Sequence, residues 1–442
     1  MKFAIPFCGS LKLTEKILNT GKDKIDCVYF DLNFRYLGSG REQSGYFGIL
    51  RSNKEKKKWL KDFDARIKEL INELHRRNIK AYGLVNQLVF TYEQTKRFNE
   101  IKRYLNRIKD IGLDRLVVAN PFALKIAKDC NYDVELSVNA LVQEPIQLEL
   151  LLQLFPNIKS MCVQREWNRN IDLIKQVKEQ YKLEIKILVN EGCLPYCPYR
   201  IEHFSLMGLL PYQLKDERAA VSVLQKYGFC YWVHRKTPVY SLMSPFIRPE
   251  DIKLYEGIAD VCKISGRTMG DPVLPMLCSA YFNSEFDGNL YFLLDGATDY
   301  VRNNFKVDNK HFPDDWGKTV SHCKYNCSEC NYCLKVAEKI IKKNTRFVFE
   351  ATSEDKEIDE NIKLAALKRL SILVNDTMKI IWGTKVRFID YLDNDDLEIQ
   401  LLNFLFKRIQ FINAFVRKLS AVFRIIRFFL KNRWIKWLTS IR

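Results

Sequence analysis

The densest group of metal-binding side chains in the chain lies in the segment "HCKYNCSECNYC". Its four cysteines are separated by three, two and two residues, at Cys323, Cys327, Cys330 and Cys333. Closely consecutive cysteines are common around four-iron, four-sulfur clusters, whereas zinc more often takes two cysteine pairs separated by a longer loop. The spacing predicts a metal site that holds a 4Fe-4S cluster, with zinc as the alternative.

The first three of these cysteines also match the C-x3-C-x2-C spacing of radical-SAM enzymes. In those enzymes the motif follows the first strand of a barrel, whereas this group lies beyond all the strand-like stretches of the chain. Cys333 can in addition occupy the iron position that SAM needs. A structural or electron-relay cluster is therefore the better interpretation.

A second group of thiols begins in "LVNEGCLPYCPYR", residues 188–200, where an apolar stretch ends. Cys193 and Cys197 are followed in the same region by His203, Cys230 and His234. A loop that is free to bend can collect thiolates around a soft metal, although cysteine is also common as an ordinary buried side chain. We predict a cofactor site at Cys193, Cys197 and Cys230, so that the chain holds one or two 4Fe-4S clusters.

The elements that must position these thiols alternate between strand and helix. Helical patterns at residues 57–77 and 93–112 place apolar residues three and four apart. The strand-like stretches are residues 2–7, 26–32, 80–86, 115–121, 134–140, 160–166, 185–191 and 261–267. Eight such units predict an α/β fold, a TIM-type (β/α)8 barrel of parallel strands. An open doubly wound sheet is the alternative, but "CGSLKLTEK" after the first strand is not a glycine-rich phosphate turn.

The barrel gives the second thiol group a location. Cys193 follows the seventh strand, at the face where such barrels carry their active sites. Residues 192–260 form a long insertion between the seventh and eighth strands. We predict a barrel over residues 1–300, a Cys-rich metal-binding module over 301–345 and a helical, basic, amphipathic tail over 346–442.

Charge and cysteine content indicate a compartment. The net charge is +18, but residues 401–442 contribute ten Lys and Arg and no acidic residue. The start of the chain lacks the apolar region of a signal peptide, so we expect a cytoplasmic protein. In a reducing compartment the 13 cysteines are not a disulfide framework, and clustered ones indicate metal or catalytic sites.

Four motifs in a fixed order resemble the collagenase-like peptidase family U-32. They are "CVYFDLNFR", "QRE" at residues 164–166, "VNEGC" and "KISGR" at residues 263–267. The resemblance implies a TIM-like barrel and an iron-sulfur protein. It also implies oxygen-independent hydroxylation of RNA bases or of the ubiquinone precursor ring, with prephenate as oxygen donor in some members.

The same resemblance implies roles for individual residues. Arg165 and Glu166 match the family's Arg-Glu pair, Cys193 its cysteine after strand seven, and Lys263 and Arg267 its last motif. The family's His-Gly before the cysteine is replaced here by residues 190–192, and its Glu in the last motif by a serine at position 265.

These charged residues have two physical interpretations. Arg165, Lys263 and Arg267 can converge on a dicarboxylate at the barrel mouth, with Glu166 orienting one of them or moving a proton. The alternative is a layer of salt bridges that closes the barrel. We predict Arg165, Glu166, Lys263 and Arg267 as catalytic, with a dicarboxylate and an electron donor as partners and RNA as a possible substrate.

Two other classes of protein remain open. A hydrolase needs a nucleophile and a positioned base, and the chain has no G-x-S-x-G or H-E-x-x-H motif. Cys193 with His203 is the pair that a peptidase would use. The other class is a non-catalytic iron-sulfur protein that binds a partner.

The tail predicts a peripheral membrane contact. Its apolar residues recur at steps of four and three, at Phe415, Leu419, Val422, Ile426 and Phe429, with Arg and Lys on the other side. An interfacial helix has such an apolar face and basic residues that meet anionic lipid. Docking on the barrel, on a partner or on RNA is the alternative.

Flotation with vesicles tests the membrane contact. We expect the full-length protein to float with anionic vesicles at low salt and to be released at high salt, because each Lys or Arg near such a surface contributes about 1 kcal/mol and salt screens that attraction. A chain that ends at residue 399 should not float and should keep its iron. Full-length protein that ignores anionic vesicles at low salt contradicts the prediction.

Overall fold

Eight parallel strands close into a barrel in the order in which they occur in the chain. The computed structural model describes residues 1–32, 37, 62–213, 229–296, 299–327 and 329–343, which lie in the first of two units, Met1–Val348. The strands are β1 Lys2–Pro6, β2 Ile25–Asp31, β3 Lys80–Val85, β4 Arg115–Val118, β5 Val134–Leu136, β6 Ile158–Cys162, β7 Glu184–Leu188 and β8 Val261–Lys263. Pairing of β8 with β1 closes the barrel, so the predicted TIM-type fold is confirmed.

Most of the longer helices pack on the barrel by burying an apolar stripe. The helix after β2, for example, buries Phe63, Ile67, Leu70, Ile71 and Leu74, which recur at three and four residues. The helices as far as β7 are α1 Leu11–Gly21, α2 Phe63–Arg76, α3 Tyr92–Lys96, α4 Phe98–Asp110, α5 Pro121–Asp129, α6 Pro145–Leu154 and α7 Ile171–Tyr181. Those that follow are α8 Arg200–Gln213, α9 Phe229–Lys236, α10 Val273–Asn283, α11 Asp299–Asn304, α12 Trp316–Val320 and α13 Tyr332–Ile340.

The strands end earlier than their apolar stretches. After β5 the chain turns into a short 3-10 helix, Val138–Ala140, whose first free N–H is capped by the Ser137 hydroxyl. After β6 it forms a second one, Arg165–Arg169, all of whose residues are buried. The ends of the strands therefore carry buried polar turns at the barrel mouth rather than further sheet.

Ionic side chains fill part of the barrel interior. Lys186 of β7 is fully buried, and its Nζ lies 3.2 Å from Oε2 of Glu135 and 3.3 Å from Oδ2 of Asp26. Glu135 of β5 also meets Lys263 of β8, at 2.6 Å. Burial raises the pKa of Glu135, but the two lysines outweigh that effect and hold its pKa below the ordinary value. One carboxylate thus links three strands across the barrel.

The region after the barrel packs against the insertion. Two short strands, β9 Phe305–Val307 and β10 Ile341–Lys343, pair antiparallel. Trp316 is buried and lies against Phe312 at 4.8 Å, Tyr332 at 5.8 Å and Phe246 of the insertion at 6.2 Å between ring centroids. The predicted Cys-rich module is therefore held to the insertion by an aromatic group, defined as Phe246, Phe312, Trp316 and Tyr332.

The predicted tail, residues 346–442, lies outside the described residues. Within the part of the chain that the structure describes, no helix combines the length and the apolar character needed to cross a membrane.

Removal of the Glu135 carboxylate tests the interior network. Glu135→Gln leaves Lys186 and Lys263 facing a neutral amide, and breaking a buried ion pair in this way costs about 3–5 kcal/mol. Urea unfolding of the two proteins measures the difference. The control is Asp271→Asn, because its partner Lys16 and Asp271 itself are both more than half exposed and such a pair is worth about 1 kcal/mol or less.

The contribution of Glu135 to the free energy of unfolding should decrease in acid. The pKa of Glu135 is lower in the folded chain, so its contribution is present above the ordinary carboxyl pKa of about 4 and is lost as the pH falls through the folded value. The stability difference between wild type and Glu135→Gln should therefore shrink in acid. A difference below about 1 kcal/mol at neutral pH would show that the network is not needed for stability.

Candidate functional site

Arg165 begins the turn after β6 and is fixed on all sides. Its Nε donates to Oε2 of Glu191, its Nη2 donates to Oδ1 of Asn139 at 2.9 Å, and its guanidinium lies 4.9 Å from the ring centroid of Phe204. Arg165 and Glu191 are both almost completely buried. Arg165 thus forms a buried ion pair between the ends of β6 and β7.

Glu166 anchors the cysteine loop to the barrel. Its Oε1 accepts a hydrogen bond from the Tyr196 backbone N–H at 2.7 Å and lies 2.7 Å from Nη2 of Arg200. The same guanidinium donates to the Leu194 carbonyl at 2.8 Å. Oε2 of Glu166 is buried and has no hydrogen-bond partner among the described residues. One oxygen therefore holds the loop while the other is left for a further contact.

Lys263 and Arg267, at the end of β8, also have carboxylate partners. Lys263 meets Glu135 and lies 4.6 Å from the ring centroid of Tyr29, and Arg267 donates to Asp31. All three cations that were predicted to converge on a dicarboxylate are thus ion-paired within the chain, in the arrangement of the salt-bridge interpretation. A dicarboxylate has to compete with these partners, and its binding stays a prediction.

The end of β7 is tied to the end of β8 and to a later segment. The Asn190 side chain donates to the Ser265 and Leu293 carbonyls and accepts the Ser265 N–H. Ser265 in turn donates its hydroxyl to Asp295, whose backbone pairs with Asn190 and Gly192. The two positions where the chain departs from the motifs it resembles therefore contact each other.

Cys193 lies directly on this framework. Its N–H donates to Oε1 of Glu191 at 3.0 Å. Gly296 has φ +85°, and a Cβ there would lie 3.2 Å from the Cys193 sulfur. Burial and the nearby Glu191 raise the pKa of the Cys193 thiol well above its ordinary value, against the opposing effect of Arg165. The thiol is therefore protonated at neutral pH when no metal is bound.

The insertion between β7 and β8 brings Cys230 close to Cys193. Cys230, on α9, is close enough to Cys193 to interact with it electrostatically, and Cys193, Cys197 and Cys230 are each partly exposed. His234 lies one helical turn after Cys230, is buried, and has no hydrogen-bond partner on either ring nitrogen among the described residues. Burial lowers its pKa to about 4, so the imidazole is neutral.

The four later cysteines share one electrostatic environment. Burial raises the pKa of Cys327, and Cys323 and Cys333 raise it further. The Tyr325 N–H donates to the Cys323 sulfur at 3.3 Å, and Nη1 of Arg169 donates to the Cys333 sulfur at 3.5 Å. Soft donors with N–H groups directed at their sulfurs suit a metal-thiolate centre. Within the described residues, however, no three ligating side chains are gathered tightly enough to hold one ion.

The two cysteine groups lie on loops that touch. Tyr196, between Cys193 and Cys197, packs edge-on against Tyr325 of the later group, with 5.2 Å between the ring centroids. Arg169, at the end of the turn that begins with Arg165, lies 5.8 Å from the Tyr325 ring. One turn of backbone therefore contacts both groups.

Sequence reasoning missed several of these residues. Glu191, Arg200, Glu135 and Asp31 are the partners of the predicted charged residues. Arg169 was also missed. A signal was present for Glu191 and Arg200, which flank the cysteine motif, and for Asp31, which lies in "CVYFDLNFR", but nothing in the local pattern identifies Glu135 or Arg169.

Comparison with known proteins supports the resemblance. Residues 45–197 match the family model for peptidase family U32. The "uncharacterized protease MJ1657" of Methanocaldococcus jannaschii is 32% identical over 252 residues, which are 56% of this chain and 72% of that protein. The solved structure of "the U32 peptidase Mk0906" is 15% identical, covers 60% of this chain and 94% of its own, and has a TM-score of 0.41. Because the chain is 32% identical to the Methanocaldococcus jannaschii protein over 72% of that protein's length, it belongs to peptidase family U32.

Proposed function

We propose that the chain is an iron-sulfur-dependent enzyme that carries out oxygen-independent hydroxylation or a related redox modification. The observation that carries the proposal is the contact between two cysteine groups through Tyr196 and Tyr325 at the carboxyl end of the barrel. This contact brings the loop that carries Cys193 and Cys197 against the loop that carries Cys323 and Cys327. Active sites of TIM-type barrels lie at this end.

Each of the two cysteine groups would hold one metal centre. Cys193, Cys197 and Cys230 would hold one cluster, and Cys323, Cys327, Cys330 and Cys333 a second, with zinc as the alternative at the second group. A bound cluster supplies one-electron transfer. Glu166 and Arg200 keep the loop around Cys193 and Cys197 in place through the contacts at 2.7 Å. Oε2 of Glu166, which accepts no hydrogen bond from the described part of the chain, would hold or move a proton beside that loop.

The substrate proposal rests on exposed rings. Tyr196, Tyr199 and Phe229 are 60%, 52% and 41% exposed around the cysteine loop. Such rings stack on planar groups. An aromatic ring or an RNA base is therefore the proposed substrate, with a dicarboxylate oxygen donor and a one-electron donor as further partners and an anionic membrane as the proposed contact of the tail.

A peptidase is the second candidate, because the curated relative is named as a protease. A cysteine nucleophile needs a lowered thiol pKa, which a neighbouring cation or base provides. Burial and Glu191 do the opposite at Cys193, so its thiol is a poor nucleophile at neutral pH. The raised thiol pKa weighs against a cysteine peptidase. A non-catalytic iron-sulfur protein is the remaining alternative.

Anaerobic purification with iron and sulfide analysis tests the proposal. We expect brown protein with more than one cluster's worth of iron, of which Cys193→Ala with Cys197→Ala removes one part and leaves the rest. The control is Cys130→Ala, a buried thiol that contacts the Lys102 carbonyl and should leave the iron unchanged. Colourless protein with stoichiometric zinc would rule out the proposed chemistry.

Peptide cleavage distinguishes the second candidate. We expect casein and gelatin to survive the wild-type protein, because the Cys193 thiol stays protonated at neutral pH. In metal-free protein, iodoacetamide should modify Cys193 more slowly at pH 7 than it modifies glutathione, and faster as the pH rises. Cleavage that is lost in Cys193→Ala and in His203→Ala, with the iron retained, would favour the peptidase.

A further inference from the structure

Arg169 differs from the other buried cations in its counter-charge. Within the described residues, each of the others lies within 4.0 Å of a carboxylate: Arg165, Lys186, Arg200, Arg248, Lys263 and Arg267. Arg169 is 2% exposed and has no such carboxylate in the described part of the chain. Burying an unpaired charge is costly, so a guanidinium in this position needs another anion.

Two backbone carbonyls and two aromatic rings contact the Arg169 guanidinium. Nη2 donates to the carbonyls of Leu242 and Ser244, both at 2.7 Å, and the guanidinium lies 5.8 Å from the ring centroids of Trp316 and Tyr325. Carbonyl dipoles and ring faces attract a cation but carry no net charge. Nε has no hydrogen-bond partner among the described residues. These contacts orient the side chain without neutralising it.

The remaining group in reach is sulfur. Nη1 donates to Sγ of Cys333 at 3.5 Å, and Cys323 also interacts with the guanidinium electrostatically. Four thiolates around one Zn²⁺, or around a 4Fe-4S core of charge +2, leave a net charge of −2. Such a centre would supply the negative charge that no carboxylate of the described residues brings to Arg169.

We propose that Arg169 is the counter-charge of a metal-thiolate centre at Cys323, Cys327, Cys330 and Cys333. Where that centre is a 4Fe-4S cluster, Arg169 also raises its reduction potential, whereas Zn²⁺ has no redox chemistry and is tested by metal release alone. The inference rests on the proposed function, since it requires metal at these cysteines. Net charge and hydrogen bonds to the sulfurs are the levers by which a protein sets a cluster's potential. Reduction adds one negative charge, which a cation beside Cys333 stabilises. Arg169 is a positioning residue, because it acts through the thiolates.

Potentiometric titration followed by electron paramagnetic resonance tests the inference. Full-length protein with Cys193→Ala and Cys197→Ala isolates the later centre, and Arg169→Gln is compared with Arg169→Lys in that background. At a fixed solution potential we expect Arg169→Gln to lower the ratio of reduced to oxidised centre at least tenfold, which for one electron is about 59 mV. Arg169→Lys keeps a charge but not the planar fork, so its shift should be smaller.

Arg248→Gln is the matched control. Arg248 is buried and contacts Phe312 of the same aromatic group, but Asp251 neutralises it at 2.7 Å. Its loss should lower the melting temperature without moving the potential. Release of metal to a chelator is measured in parallel, and Arg169→Gln should release iron or zinc at least tenfold faster than Arg248→Gln.

The outcomes separate the inference from the proposed function. The reduction potential and the rate of metal release of each folded Arg169 variant are compared with those of Arg248→Gln. If neither quantity differs from this control, Arg169 is a packing residue and the inference is wrong. If Cys327→Ala with Cys330→Ala removes no metal, the later cysteines hold none, and the proposed function fails at this site together with the inference.

Discussion

The Glu166 carboxylate is the contact on which the cysteine loop depends. It joins the turn after β6 to the loop after β7 by accepting the Tyr196 N–H and pairing with Arg200. Because both contacts use one oxygen of a buried side chain, the loop cannot shift without breaking a desolvated ion pair. The edge-on contact of Tyr196 with Tyr325 follows from that placement. The position of the later cysteine group relative to the barrel is thus linked to one residue at the end of β6.

The charged side chains at the mouth of the barrel form ion pairs with one another. Arg165, Lys263 and Arg267 are each matched by a carboxylate from another strand or loop. Matched pairs position neighbouring groups well but leave little net charge to attract a ligand. Within the described residues, the buried guanidinium of Arg169 differs from these cations, because it has no carboxylate within 4.0 Å and donates instead to the Cys333 sulfur.

The barrel could be predicted from the sequence, but the ion-pair partners of the charged residues could not. Strands buried on both faces appear as short apolar stretches, which is why all eight were located, and the seventh gave Cys193 its correct position. Their ends were placed too late, because the chain leaves each strand in a buried polar turn, at Val138–Ala140 and at Arg165–Arg169, that stays in the interior without pairing in the sheet. The partners of the charged residues were not predictable, since Glu135 and Lys263 meet across the barrel and no local spacing records that contact. Cys230 was predicted as a ligand, which stays a prediction, and its approach to Cys193 depends on an insertion with no regular period.

The backbone contacts of Asp295 have a consequence for how the cysteine site is made. Gly192 donates to the Asp295 carbonyl at 2.6 Å, Asp295 donates back to Asn190 at 2.8 Å, and Gly296 lies against the Cys193 sulfur. The loop that follows β7 is thus completed by residues that leave the ribosome long after it. While the chain is being synthesised, Cys193 and Cys197 emerge into solution without their final surroundings. The surroundings of these two thiols are therefore complete only once the segment around Asp295 has been synthesised and has folded back onto the end of β7.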